Sequence, residues 1–480
     1  MVESQPIRMA LPEHPESHAH PSISQRLADF VARVRYEDLP REVVVKAKEE
    51  IVFLIARAFE GAASPEAHQA RQVLADCARP DGAHVIADSL RLDASDAALF
   101  NCDLMRGAGG RDDVLWPAGV HAGSVTLPTA LALAEVTHAS GKALIVSLVA
   151  AYEILGKLGT VADSWATRLP RRPTNVYGPF GSITAAGYLL RLDRVRLANA
   201  FGYAANLGIG IPEGGMMDHY YGLVNRNGVL AARLAGAGGM PYTVDTIEGD
   251  TGLFRSFFGQ VPSGLGPAMD ALGKNWEVMT AEIKPYPGTG QNAPAIYLLL
   301  QLAKSERLTP LNVAAIEAVQ PHVTDSEPRK REVAFQGPFV RSVQAYSSLP
   351  YALAVALIDG HVGLERFPDA DDLKLLNDPA VARLMKKITL RFEAGHASPR
   401  YCRLQVRLTD GRVLRREVDQ SVIKFPREQW GPALQEFGRR VLPEAQLQKA
   451  EGMLLDLEKL TDVSELMRTL ATDRSVTREN

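Results

Sequence analysis

Cysteine is scarce in this sequence. Only Cys77, Cys102 and Cys402 occur among the 480 residues, and they lie far apart along the chain. Three widely spaced cysteines do not match the paired framework of a disulfide-rich secreted domain or the clustered ligands of a structural zinc site. We therefore expect a protein of a reducing compartment whose cysteines fill the core.

An excess of charge of one sign is also missing. Lys and Arg number 53, Asp and Glu number 56, and the formal net charge is −3. The basic residues are dispersed, whereas a nucleic-acid-binding surface needs them clustered. Nucleic acid is therefore not an expected partner.

Long apolar segments are missing as well. Residues 1–22 contain no apolar signal-peptide core and favour a disordered leader. No later run is expected to reach the roughly 18 to 20 apolar residues of a membrane span. The sequence therefore predicts a cytoplasmic protein that makes no contact with a membrane.

The common nucleotide and metal motifs do not occur. The sequence has no GxxxxGK[ST], no dinucleotide-binding fingerprint after a strand, no CxxC and no HExxH. The groups left for chemistry are histidine, carboxylates, tyrosines and dispersed cations. This set is suited to acid–base chemistry on a small anionic substrate.

What the sequence does contain is helical periodicity over its first part. Apolar residues recur at helical spacing from Ile23 to Gly61, and another helix is predicted to begin with Ser95 as its N-cap. Two nearly apolar helices follow, each expected to end at a glycine, Gly141 or Gly159. The sequence then has further loop-and-helix units. The second and third loops are predicted at 168–181 and 213–228.

The pattern changes after Thr280. Residues 313–323 and 386–393 have the composition of strands, and the alternating run 401–418 around Asp410 and Gly411 predicts a β-hairpin. Because 480 residues exceed the roughly 250 to 300 of one core, two domains are expected. We predict a mainly α fold with a large helical domain and a smaller α+β lid domain. The expected ranges are a leader at 1–22, the helical domain at 23–280 and 420–470, the lid at 281–419 and a frayed tail at 471–480.

The segment 107–128, GAGGRDDVLWPAGVHAGSVTLP, is the first candidate for the catalytic site. Asp112 and Asp113 lie near His121, which is the ordinary composition of an acid–base pair. Alternatively, the aspartates could cap a helix or face water, and the histidine could be packed and bonded to backbone. The residues predicted to be catalytic are His121, Asp112 and Asp113.

Several cations and hydroxyls are candidates for substrate binding. Prolines and glycines in IKPYPGTGQ hold the backbone around Lys284, and a fixed ammonium suits a carboxylate. A solvated surface position is the alternative for such cations, and core packing is the alternative for the tyrosines. The predicted substrate-binding residues are Lys284, Arg172, His219, Arg226 and Tyr351; no metal site is predicted.

Seven segments, in the same order, resemble the MmgE/PrpD family, which includes 2-methylcitrate dehydratases, cis-aconitate decarboxylases and iminodisuccinate epimerases. The resemblance covers about Leu27 to Leu470, which is nearly the whole chain. It implies a helical domain with an α+β lid, a homodimer, an active site in the cleft between domains, and no metal or organic cofactor. The segments are 27–51, 112–124, 141–159, 181–193, 226–239 with 247–259, 283–287 and 351–360.

The site residues that the resemblance implies match only in part. In the family the loop usually reads DFDDT followed by HP, and Asp112, Asp113, His121 and Lys284 fall on positions that match. The departures favour a substrate other than 2-methylcitrate or cis-aconitate. The departing positions are Gly110, Val114 and Ala122 in the loop, Arg172 for a second histidine, Met217 for a lysine and Phe53 for an aspartate.

The sequence therefore supports two classes of function. The first is a cofactor-independent lyase, most simply a dehydratase, that acts on a small carboxylate by proton transfer beside that group. Decarboxylation or epimerisation of a related carboxylate uses the same groups and stays open. The second class is a non-catalytic homologue that only binds carboxylates.

Overall fold

The computed structural model describes residues 20–166, 173–208, 219–241, 245–321, 327–367, 373–396, 398, 400–418 and 423–472. These residues form a mainly α fold with small sheets and a smaller α+β part, which confirms the predicted fold class. Arg172 and Met217 lie outside the described residues.

The first part of the chain is helical apart from short strand segments. Apolar residues on each helix face a common core. The helices are α1 (Ile23–Arg33), α2 (Arg41–Glu60), α3 (Pro65–Leu74), α4 (Ala94–Arg106), α5 (Leu127–Val136), α6 (Gly141–Ala166), α7 (Pro173–Leu189), α8 (Arg194–Leu207), α9 (Tyr220–Gly236), α10 (Leu253–Phe258) and α11 (Leu265–Asp270).

The second part mixes helices and strands before returning to helices. Its helices are α12 (Ala293–Glu306), α13 (Glu327–Val333), α14 (Ser342–Ser347), α15 (Leu349–Asp359), α16 (Leu373–Leu376), α17 (Pro379–Met385), α18 (Trp430–Gly438), α19 (Glu444–Leu455) and α20 (Val463–Leu470). The strands within the described residues are β1 (Ala83–His84), β2 (Arg91–Leu92), β3 (Asp113–Leu115), β4 (Ala281–Ile283), β5 (Val313–Pro321), β6 (Ile388–Glu393), β7 (Cys402–Leu408) and β8 (Val413–Val418).

Local signals set the ends of the first helices. The Oγ of Ser22 accepts the backbone N–H of Gln25 and caps α1, and Pro40 precedes α2 while Gly61 ends it. These ends of α2 confirm the prediction. The predicted N-cap of α4 is wrong, because the carboxylate of Asp93 accepts the backbone N–H of Ser95 and takes that role.

Several predicted loops and ends are wrong because packing overrides the glycine signal. In α7, Gly181 has no side chain to clash with Leu155, so the helix includes residues 173–181 of the predicted loop. The rest of that loop, 168–172, lies outside the described residues. Likewise α9 runs through Gly228, where the helix lies against Ser182. Gly141 begins α6 and does not end α5, and α6 continues beyond the predicted end to Ala166.

Helix α6 is the most apolar long element among the described residues. Its segment Gly141–Val161 is long and apolar enough to cross a membrane, so the prediction that no run reaches the length of a membrane span is wrong. However, 89% of its apolar window is buried inside the protein. Core packing therefore accounts for its composition, and a cytoplasmic location stays a prediction.

The strands form small sheets. The largest has the order β6-β5-β7-β8, with β5 and β6 parallel and the other pairs antiparallel. The pairing of β7 with β8 confirms the predicted hairpin around Asp410 and Gly411. A separate two-stranded ladder joins β3 to β4. This ladder links the first candidate segment to the start of the second part of the chain.

Buried apolar side chains form two clusters. The first contains residues from Ile23 to Ile283 together with Phe425 to Leu470. The second contains residues from Ala295 to Leu408, where α12 and α15 pack on the four-stranded sheet. We propose that these clusters are the cores of the two expected domains, with the boundaries near 281 and 419 still predictions.

Candidate active site

The ladder of β3 and β4 brings the first candidate residues together. Asp113 pairs with Ile283 across this ladder, and the backbone N–H of Lys284 donates to the carbonyl of Asp112 at 2.7 Å. Asp112 and Lys284 therefore lie side by side although they are far apart in the sequence. Their side chains also meet: the Nζ of Lys284 lies 2.6 Å from the Oδ1 of Asp112.

Asp112 is the centre of the site. Its side chain is fully buried and its two oxygens contact four groups. The Nδ1 of His121 lies 3.0 Å from Oδ1, which also contacts Lys284. Arg106 donates to Oδ2 from Nη1 at 2.6 Å, and the hydroxyl of Ser124 donates to the same oxygen at 2.7 Å. One carboxylate thus fixes an imidazole and two cations.

The surroundings of Asp112 decide its charge. Burial alone would raise the pKa of this carboxyl, but His121, Lys284 and Arg106 hold it well below its usual range. The carboxylate is therefore ionised at neutral pH and keeps accepting its four bonds. Because all its lone-pair directions are in use, it is suited to orienting its neighbours.

His121 has one nitrogen committed and one available. Nδ1 contacts Asp112, while Nε2 has no hydrogen-bond partner among the described residues. A quarter of the side chain, 25%, is exposed. Burial lowers the pKa of His121 to about 4, with Lys284 and Arg106 acting in the same direction and Asp112 opposing them. The imidazole is thus neutral at pH 7, with its Nε2 free to exchange a proton.

Lys284 is almost buried, with 5% of its side chain exposed. Burial lowers its pKa, and the neighbouring Asp112 opposes that change. Its methylene groups pass close to Gly290, where any side chain would crowd them. The ammonium is consequently fixed in place, as a carboxylate-binding cation must be.

Arg106 is a site residue that sequence reasoning missed. It ends α4, where a basic residue ordinarily favours the negative end of the helix dipole, so its position looks structural. In the structure its guanidinium contacts Asp112 and lies over the ring of Tyr221, with its Cζ 4.7 Å from the ring centroid. The only sequence signal was a cation directly before the glycine-rich loop.

Comparisons with known proteins identify the family. Residues 25–264 match the model of the MmgE/PrpD N-terminal domain, and residues 286–435 match the model of the MmgE/PrpD C-terminal domain. The chain belongs to the MmgE/PrpD family. The resemblance inferred from the sequence is therefore confirmed, and it extends over both parts of the chain.

Relatives of this MmgE/PrpD protein include fungal enzymes. A cis-aconitate decarboxylase of Aspergillus terreus is 26% identical over 480 aligned residues, covering 95% of this chain and 97% of the relative. A cis-aconitate decarboxylase-like protein, oryM, of Aspergillus oryzae is 26% identical over 502 aligned residues, covering 94% and 97%. Family membership and these relatives support a lyase that acts on a carboxylate.

The loop positions that depart from the family pattern have structural surroundings of their own. Gly110 has a positive φ of 65°, and a side chain added there would lie against the guanidinium of Arg106. Val114 pairs with Glu282 in the β3–β4 ladder. Ala122 and Phe53 are buried in the core. Gly110 therefore leaves the guanidinium of Arg106 uncovered.

Asp113 is turned away from Asp112, as expected for adjacent residues where a strand begins. Its Oδ1 accepts the backbone N–H of Gly123 at 2.8 Å, and its Oδ2 accepts the hydroxyl of Tyr152 at 2.7 Å. Burial, with Glu50 and Asp112 nearby, raises the pKa of Asp113 well above its usual range. These contacts of Asp113 hold the turn after His121. They do not include the imidazole of His121, so contact with that ring does not support the predicted catalytic role of Asp113.

The other predicted substrate-binding residues already have partners away from Asp112. His219 contacts Asp103 at 2.6 Å through Nδ1 and Gln69 at 2.8 Å through Nε2. The Nε of Arg226 lies 2.6 Å from Asp96. These contacts assign His219 and Arg226 to ties between helices, and their predicted roles in binding stay untested.

Tyr351 belongs to the second core. Its hydroxyl donates to the carbonyl of Arg366 at 2.5 Å, and its ring packs edge-on against Phe339 and Phe367. The structure therefore places Tyr351 in core packing, which was the alternative considered for the tyrosines. Among the described residues, no group of three His, Cys, Asp or Glu side chains is placed to hold a metal ion.

Proposed function

We propose that this protein is a cofactor-independent lyase that removes carbon dioxide from a small polycarboxylate. The observation that carries the proposal is the Asp112 cluster, which fixes an imidazole with a free Nε2 beside two cations. The names of the Aspergillus relatives support decarboxylation over the dehydration first expected from the sequence. Family membership supports the broader assignment to lyases.

Lys284 binds a substrate carboxylate in this proposal. Its ammonium is nearly buried and held by Asp112, so it binds an anion without first losing side-chain freedom. As the bond to the departing carboxylate breaks, its electron pair moves into the carbon framework next to a remaining carboxylate. A fixed cation beside that carboxylate stabilises the developing charge.

His121 supplies the proton that replaces carbon dioxide. The imidazole takes a proton from water when the anionic substrate binds, and Nε2–H then donates it to the carbon that carries the electron pair. One C–C bond breaks, one C–H bond forms, and one proton is consumed for each carbon dioxide released. Asp112 accepts from Nδ1 throughout, which keeps Nε2 as the nitrogen that exchanges the proton.

The direct test is turnover of cis-aconitate by the purified protein, with trapped carbon dioxide and the organic product both measured. His121→Gln should lower kcat by about 100-fold or more, the usual effect of losing a general acid or base. Lys284→Met should raise KM and also lower kcat, because the ammonium both binds the carboxylate and stabilises the developing charge. Arg233→Gln is the matched control, because Arg233 is a partly exposed cation paired with Asp93. Wild-type turnover by His121→Gln would end the proposal.

Further arms of the same assay separate the alternatives. Other unsaturated polycarboxylates are included because the departures at Gly110 and Val114 predict that one of them is turned over faster than cis-aconitate. Loss of water from 2-methylcitrate would favour the dehydratase instead. Activity that survives EDTA is the expected result for a cofactor-independent enzyme. Thermal stabilisation by these acids with no turnover of any would favour the binding homologue.

A further inference from the structure

Arg106 has hydrogen-bond donors that the described protein does not use. Its Nη1 donates to Asp112, but Nη2 and Nε have no bond to any described residue. The side chain of Arg106 is 23% exposed. Its guanidinium is therefore held by Asp112 on one side and is accessible to a ligand on another. A planar guanidinium with two spare N–H groups is the usual partner of a carboxylate.

Arg106 and His121 both lie near the ring of Tyr221. The Cζ of Arg106 lies 4.7 Å from the ring centroid, and the imidazole of His121 lies 6.0 Å from the same centroid. Both groups therefore border one aromatic surface while both contact Asp112. A substrate that reaches Nε2 of His121 is within reach of the same surface.

Gly110 leaves the guanidinium uncovered. A Cβ built on this residue would have Arg106 as its nearest neighbour, 3.6 Å from Nη2 and 3.7 Å from Nη1. No other heavy atom outside its chain neighbours comes closer to that point. Any side chain at position 110 would thus lie over the spare donors, and a carboxylate there would occupy them.

We propose that Arg106, held by Asp112 and Tyr221 and uncovered by Gly110, binds a second substrate carboxylate. This subsite deepens the proposed function, on which it rests, because it requires a substrate with at least two carboxylates. One carboxylate binds Lys284 and the other binds Arg106. A monocarboxylate of the same length fills only one of these positions.

The test substitutes Gly110 and keeps Arg106 unchanged. Gly110→Asp and Gly110→Asn have almost the same size and tolerate the positive φ of 65° better than other side chains. Only the aspartate can form an ion pair with Arg106. Calorimetry measures the Kd of succinate and butyrate, two acids of equal chain length that differ by one carboxylate.

Gly110→Asp should weaken succinate binding about 10-fold or more relative to Gly110→Asn, the value of a charge-assisted contact. Butyrate binding should be equal in the two variants. Arg106→Gln should remove the preference for succinate, while Arg233→Gln should keep it. Equal succinate binding by the two Gly110 variants would overturn the subsite, as would a wild-type protein without any preference for succinate. Succinate binding does not require turnover. A wild-type protein that prefers succinate to butyrate but releases no carbon dioxide from any polycarboxylate would contradict the proposed reaction and still support the Arg106 subsite.

Discussion

Binding of a dianionic substrate at pH 7 should drive a proton onto His121. In the empty site the pKa of this imidazole is about 4, against an ordinary value of 6.5. Only about one molecule in a thousand is then protonated at pH 7. Burial and the nearby cations Lys284 and Arg106 all lower this pKa, because they disfavour an additional positive charge.

The same contacts determine how far a bound anion raises the pKa of His121. The difference between 6.5 and a pKa of about 4 corresponds to roughly 3 kcal/mol against protonation. An anion about 4 Å from the imidazolium contributes roughly 4 kcal/mol at an effective dielectric constant of 20. Because the second quantity is the larger, a bound substrate anion restores the pKa of His121 to near or above its ordinary value.

Calorimetry in buffers of different ionisation enthalpy measures this uptake directly. At pH 7 we expect roughly half a proton to be taken up per bound succinate, because a pKa of His121 restored to about 7 leaves the imidazole half protonated. His121→Gln should bind succinate with almost no uptake. Binding without proton uptake by the wild type, or equal uptake by His121→Gln, would show that His121 is not protonated when succinate binds.

Three further predictions follow from the cluster. Asp112→Asn leaves Arg106 and Lys284 as uncompensated cations. It should lower the free energy of unfolding, measured with urea, by about 3 to 5 kcal/mol, as for other broken buried ion pairs. An unchanged urea midpoint would contradict this prediction. Asp113→Asn should keep kcat within about 3-fold of the wild type. Asp113→Ala should lower kcat roughly 100-fold, because the turn after His121 is displaced. Equal losses of kcat in the two variants would instead indicate proton transfer by Asp113. The pKa of His121 is lowered to about 4 in the folded protein, so as the pH drops the imidazole of the unfolded chain is protonated first. The stability of the folded protein therefore falls between pH 6.5 and about 4. The midpoint of thermal unfolding of His121→Gln should depend less on pH in that range.

Helices and strands were predictable where the apolar pattern and the local signals agree. Helix α2 lies between Pro40 and Gly61 as predicted, because both residues act through their own backbone. The segment around Pro179 was predicted as a loop and is helical, because its glycines serve close packing between helices. Composition does not distinguish a glycine that turns the chain from one that admits a neighbour.

The site was predictable only where residue chemistry is unusual for its position. A histidine and two aspartates in a glycine-rich loop stand out, and His121 and Asp112 do contact each other. Which aspartate faces the histidine depends on where strand β3 begins, and that requires its partner β4. Arg106 was missed because its role depends on the contact with Tyr221, which only the packing of α4 against α9 creates.

The ladder of β3 and β4 also constrains the order in which the site can be made. During translation, Asp112 and Arg106 leave the ribosome long before Lys284, and the strand that carries the lysine to them has not yet been synthesised. A nascent chain that ends before Ala281 therefore lacks one of the two cations that neutralise Asp112. The cluster can be completed only after both partners have emerged, so a fragment with the helical first part alone cannot carry the full site.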